Sequence, residues 1–159
     1  MDLEEPRMER FAQLRLPNGQ VAWSLWQEQK WEDIKVRRAW NIKLNLAGEV
    51  QFAEVLYYFT LIRKNVHYTL AAVWMFLAPD QQILDNSLSV LWVCEQAETD
   101  TITIIDVKWI NGVIAMIPFR RAGLAWDDEG DVYEYFVLEK LFCNSVVPDY
   151  DSNQDGENV

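Results

Sequence analysis

Imidazole chemistry has almost no material in this chain, which holds a single histidine, His67. A zinc site or a histidine acid–base pair therefore has no set of side chains to draw on. Two cysteines, Cys94 and Cys143, are too few for a disulfide framework or a thiolate metal cluster. The opening MDLEEPRMER has no basic stretch followed by an apolar one, so it is not a secretory signal. Both thiols are accordingly expected to be reduced and in or near the core, and the chain to be intracellular. No uncharged apolar run reaches the ~18–20 residues that a membrane span needs. The longest candidate, residues 66–78, contains His67 and stops at Pro79.

Basic residues are scarce where a broad nucleic-acid surface would need them. The net charge is −11, and it is unevenly spread. Residues 1–64 hold ten Lys/Arg and nine Asp/Glu, whereas residues 65–159 hold four and sixteen. A phosphate backbone would be repelled by the second part. Any nucleic-acid contact is confined to the basic patch Lys35, Arg37, Arg38 and Lys43, with Arg63 and Lys64 as possible additions. A solvated face is the plainer role for that patch.

What the chain does have is apolar and aromatic. Half of its 159 residues are hydrophobic, enough for one domain with a real core, and it carries eight Trp, six Tyr and seven Phe. The chain is organised around residues 41–59, NIKLNLAGEVQFAEVLYYF, which read as two strands joined at Ala47-Gly48. Ile42, Leu44 and Leu46 alternate with polar residues, so one face of the first strand is buried. The second, residues 51–59, lacks clean alternation, which predicts packing on both of its faces. Further strands are predicted over residues 68–77, 91–94, 101–105, 113–119 and 132–141. A small hairpin is predicted around Pro17-Asn18-Gly19-Gln20, because Asn-Gly between apolar runs is a strong turn signal. Residues 61–67 read as a polar turn. A helix is predicted over residues 24–38, capped by Ser24 with Gln27 as capping-box partner, and Asp80 is expected to cap a short helical turn.

The resulting expectation is a mainly β domain: a small barrel or curled antiparallel sheet of about six to eight strands with one short helix. Residues 1–13 are expected to be a flexible N-terminus, 14–147 the single domain, and 148–159 a disordered acidic tail.

Two constellations carry possible chemistry. Pro79-Asp80 followed by Asp106-Val107-Lys108 is the pattern of restriction-type, metal-dependent nucleases. There, two carboxylates hold Mg²⁺ and a lysine stabilises charge at the attacked phosphate. On a strand Asp106 and Lys108 would share a face. The plainer roles are a helix cap for Asp80 and a surface pair for the others. Tyr57, Tyr58, Trp74, Trp92 and Trp109 are the rings that could cage a methylated lysine. Core packing is the favoured role for them, and Tyr57 and Tyr58, as neighbours, point to opposite faces, so at most one can join a given cage.

The blocks LPNGQVAWSLW, RRAWNIKLNLAGEVQFAEVLYYF, LWVCEQ, ITIIDVKWINGVIAMIPF and YFVLEK occur in an order that resembles the C-terminal region of fungal Plavaka-type transposase-related proteins. The corresponding positions are residues 16–22, 39–44, 52–55, 91–94, 105–108, 113–118 and 136–140, covering nearly the whole chain. The tryptophans Trp23, Trp31, Trp40, Trp74 and Trp109 depart from that pattern. The layout of residues 73–80 and 110–114 is also similar, more distantly, to the bromo-adjacent homology domain. The first resemblance implies a domain that follows the catalytic core of such a transposase. The second implies a chromatin or protein-interaction module without catalysis or cofactor. Together they imply a non-catalytic interaction domain of a transposon-derived protein, nuclear through its parent's role, with a protein or histone tail as partner. The alternatives are the nuclease using Asp80, Asp106 and Lys108, and a decayed transposase fragment without activity.

Overall fold

The computed structural model describes residues 6–28, 39–97, 101–118 and 134–139. Its spine is β5 (Glu49–Arg63), a strand of 15 residues. β4 (Asn41–Leu46) pairs antiparallel with its first part, from Leu46 opposite Glu49 to Asn41 opposite Glu54. Ala47 and Gly48 make the connecting turn with φ of 52° and 89°, and Asn45 Oδ1 accepts the Gly48 N–H at 2.9 Å. Two positive φ values match the right-handed twist of the strands they join.

The far end of β5 departs from expectation. Residues 61–67 are not a polar turn: β5 runs to Arg63, and only two residues separate it from β6 (Val66–Met75). Lys64 and Asn65 take φ of 51° and 59°, so two residues suffice to reverse the chain. The ladder continues through Leu61 opposite Tyr68 and Ile62 opposite His67. Midway, the β5–β6 register shifts between Val55 and Tyr57. The extra residue, Leu56, exchanges the two faces of β5, so that Tyr58 instead of Tyr57 follows Val55 on the same side.

Eight strands form the main sheet, in the order β7 (Val93–Glu95), β10 (Glu134–Glu139), β9 (Ile110–Pro118), β4, β5, β6, β8 (Ile102–Asp106). The eighth, β1 (Arg7–Phe11), pairs with the outer half of β5, from Phe11 opposite Tyr58 to Arg7 opposite Ile62. Part of the expected flexible N-terminus is therefore a strand. β5 outruns β4, and β1 fills the edge that would otherwise be left open. The sheet curls without closing into a barrel. One bridge, Phe76 with Gln96, and the Leu77 N–H to Glu95 carbonyl bond at 2.9 Å bring the end of β6 to β7.

β5 contributes to a core on each face, as its broken alternation predicts. Ala53, Val55 and Tyr58 join Ile42, Leu44 and Val73 in one cluster. Phe52 joins Phe76, Cys94, Ile114 and Val137 in the other, inside the curl. The first is covered by a separate hairpin, β2 (Gln13–Arg15) and β3 (Val21–Trp23), whose Leu16 and Ala22 are buried in it. Its Asn18-Gly19 turn docks on β9: Gln20 Oε1 accepts the Val113 N–H at 2.8 Å, and Asn18 Nδ2 donates to the Asn111 carbonyl at 3.2 Å. Replacing Gln20 by Ala leaves that amide without an acceptor. The expected cost is about 1–3 kcal/mol, read as a lower denaturation midpoint at unchanged slope, with Gln20→Glu losing less because it keeps an oxygen there.

Two short helices are present where one was expected. α1 (Leu25–Glu28) is a single turn at the start of the predicted helix, whose remaining residues, 29–38, lie outside the described residues. Ser24 does not cap it through its side chain, because Ser24 Oγ is buried without a hydrogen-bond partner; its carbonyl accepts the Gln27 N–H instead. α2 (Gln81–Asn86) is capped by Asp80, as expected, with Oδ1 accepting the Ile83 N–H at 3.0 Å. The strand predicted over 91–94 is shorter and shifted, and the one over 132–141 is described only as β10. The predicted acidic tail, 148–159, lies outside the described residues. No helix among the described residues is long and apolar enough to cross a membrane.

Candidate functional site

Of the aromatic residues singled out in the sequence, Tyr57 and Trp74 come to share one sheet face, and the other three lie apart from them. Tyr58 is fully buried and stacks on Phe11 at 5.4 Å between ring centroids. Burial without any hydrogen-bond partner for its hydroxyl pushes the phenol pKa up. Trp92 meets Phe52 edge-on at 5.8 Å and packs against the core inside the curl. Trp109 is half-exposed on the 3-10 turn Val107–Trp109. Tyr57 lies on the face opposite Tyr58, and the Arg10 guanidinium stands over its ring at 4.7 Å. The same guanidinium lies 5.4 Å from Trp26, so the nearest thing to a cage is already filled by a cation of this chain.

The nuclease pattern is not assembled either. Asp106 Oδ1 accepts the Lys108 N–H at 2.9 Å and caps the 3-10 turn, so Asp106 and Lys108 do not follow each other along one strand face. Asp106 stands opposite Leu70, whereas Asp80 lies beyond the Met75 end of β6, where it caps α2. No group of three potential metal ligands occurs among the described residues. Of the basic patch, Lys35, Arg37 and Arg38 lie outside the described residues, and the Lys43 ammonium contacts Glu139 at 2.5 Å.

The feature the sequence did not single out is a sheet face. In antiparallel pairs, residues directly opposite share a face. One face of the β1–β5–β6–β8 region therefore carries the row Met8, Leu61, Tyr68; the row Tyr57, Ala72, Ile104; and the row Glu54, Trp74, Ile102. Met8, Val66, Tyr68, Ile102 and Ile104 on this face are each about half-exposed (46–53%). Trp74 sits among them with its indole Nε1 buried and without a hydrogen-bond partner. They form two groups, Met8, Val66 and Tyr68 at one end and Ile102 and Ile104 at the other, with the row Arg10, Phe59, Leu70 and Asp106 between them, and each group is more than a scattered single. The signal available in the sequence was weak: Ile102, Ile104 and Ile105 make β8 apolar on both faces although it is a strand at the sheet's end.

Leu77, Leu88, Val90 and Leu91 are exposed elsewhere on the molecule. A cavity of about 200 Å³ between the end of β6 and β7 is lined by Leu77, Ala78, Asp80, Val93, Glu95 and Glu134. Nearby, Leu88 and Ser89 take φ of 55° and 64°, and Leu88 is 87% exposed. Cys94 is buried and unpaired, and burial pushes its thiol up to about 12, so it stays protonated at neutral pH and is a poor nucleophile. Cys143 lies outside the described residues. Compared with known protein families, with curated proteins and with solved structures, the chain matches none of them.

Proposed function

We propose that this chain is a non-catalytic interaction domain that binds a basic polypeptide segment of a partner. The observation that carries the proposal is the apolar face around Met8, Tyr68, Ile102 and Ile104, with half-exposed large side chains contributed by β1, β6 and β8. Apolar contact gives such a surface its affinity, and the net charge of −11 selects for a cationic partner. The block order similar to Plavaka-type transposase-related proteins, and the layout similar to the bromo-adjacent homology domain, support a transposon-derived protein working at chromatin in the nucleus. A histone tail is one basic segment of the right chemistry. A preformed methyl-lysine cage is not part of the proposal, because Arg10 occupies the space over Tyr57.

The test is an array of unmodified and lysine-modified histone-tail peptides, probed with the parent protein and with the double variant Tyr68→Ser, Ile104→Ser. Both positions are half-exposed, so the variant should melt within about 1 kcal/mol of the parent. The expected result is capture of basic peptides by the parent and loss of at least roughly tenfold in the variant. Equal capture by both proteins removes this face as the binding surface. Capture of no peptide by either returns the decayed-fragment reading to the front.

A further inference from the structure

We propose that the free edge of β8 takes an extended basic peptide by strand addition, lengthening the main sheet by one strand. The proposal rests on the interaction reading above and specifies how the partner is held. β8 is the last strand of the sheet, and among the described residues nothing pairs with its outer edge. Open edges are ordinarily guarded by lysine, proline, a bulge or shortness. The β8 sequence ITIID contains no lysine and no proline, and its register with β6 runs without a shift from Ile102 opposite Trp74 to Asp106 opposite Leu70. The other end of the sheet is treated differently: β7 has three residues and sits beside the bridge from β6.

A strand added to β8 would find both kinds of contact that strand addition uses. Backbone groups along the edge supply hydrogen bonds, and alternate side chains of the guest fall beside Ile102 and Ile104, continuing the rows from Ala72 and Trp74. Charge decides the occupant. Residues 65–159 hold sixteen acids against four bases, and in the sequence Glu98 and Asp100 precede β8 while Asp106 ends it. A second copy would bring two such surfaces together, whereas lysine or arginine beside the apolar residues of a guest strand turns the same field into attraction.

The probe is a short fluorescein-labelled peptide of alternating lysine and valine, titrated with the whole chain and followed by anisotropy. Two derivatives are N-methylated, one on every valine and one on every lysine, and a fourth peptide replaces lysine by glutamate. A strand presents the N–H groups of alternate residues to a given edge. The expected result is saturable binding of the parent peptide, near-parent binding of one methylated derivative, and weakening of the other by roughly tenfold or more. The glutamate peptide should be weaker still at low salt, and Ile104→Ser should weaken the parent peptide. If both methylated peptides bind like the parent while Ile104→Ser still weakens them, strand pairing is overturned and the apolar-face reading stands. If the parent peptide fails to bind, or Ile104→Ser has no effect on its binding, both fall for this probe class. A dimer in sedimentation that Ile104→Ser dissolves overturns the choice of occupant.

Discussion

Val55→Asp should leave the protein without cooperative structure at neutral pH. Val55 is fully buried in the core that β4, β5, β6 and the β2–β3 hairpin share, directly opposite Val73. No basic side chain belongs to that cluster. A carboxylate placed there must either stay ionised without a partner or take up a proton. Holding an aspartic acid protonated at pH 7 costs about 4 kcal/mol, from 1.36 kcal/mol for each unit above its ordinary value of about 3.9. The lost valine packing adds about 1.5–3 kcal/mol. The sum is comparable with the ~5–15 kcal/mol that a whole domain commands. The sign with pH is fixed: the variant's pKa would be raised in the folded state, so its deficit should shrink as pH falls toward 4 and be full at pH 7. Near-UV circular dichroism and thermal melts at both pH values measure this, with the exposed turn residue Glu49→Ala as a near-neutral control. A variant melting like the parent at pH 7 would falsify the placement of β5 at the centre of the fold.

Phe52→Ala should cost about 3–5 kcal/mol, a fall of roughly 10–15 °C in melting temperature for a chain of this size. Phe52 is 1% exposed and is the largest fully buried side chain of the cluster inside the curl, where it also meets Trp92 edge-on. Its ring packs between β5 and the residues that curl over it from β7, β9, β10 and the end of β6, and alanine leaves a cavity that these neighbours cannot all collapse to fill. Ile104→Ala on the same sheet, half-exposed, should move the melt by less than about 1 kcal/mol. If the two variants melt alike, the curl does not bury Phe52 and the sheet is open at that end.

The parts of the fold that local chemistry dictates were legible in the sequence. Gly48 tolerates positive φ and the strand before it alternates, so β4 and the first part of β5 stand where expected. Asn18-Gly19 marks the small hairpin, and Asp80 caps α2 through a bond to a residue three positions away. The remainder depends on residues far apart in the chain. Lys64-Asn65 turns as tightly as Ala47-Gly48 without a glycine, because the long β5–β6 ladder holds it there. β1 reads RMERF, mostly charged, and becomes a strand only because β5 leaves an edge for it. Leu56 gives no local sign of being the bulge that puts Tyr58 in the core and Tyr57 under Arg10. Asp106 and Lys108 looked like strand neighbours, but the chain bends between them. The apolar face was illegible for the same reason: Met8, Tyr68 and Ile104 come to share one face only through register.

The two tight turns of β5 also bear on the order in which the chain pairs during synthesis. β4 meets β5, and β5 meets β6, after closing loops of two residues, whereas Arg7 meets Ile62 only after a loop of about fifty. By the slow growth of closure entropy with length, the longer loop costs roughly 3 kcal/mol more. β1 therefore waits for its partner until residue 62 has been made, and it closes a longer loop than either of the strands that flank β5 in the hairpins. In that interval Arg7, Glu9 and Arg10 keep the segment hydrated, and Arg10 takes its place over Tyr57 and Trp26 once the strand has docked.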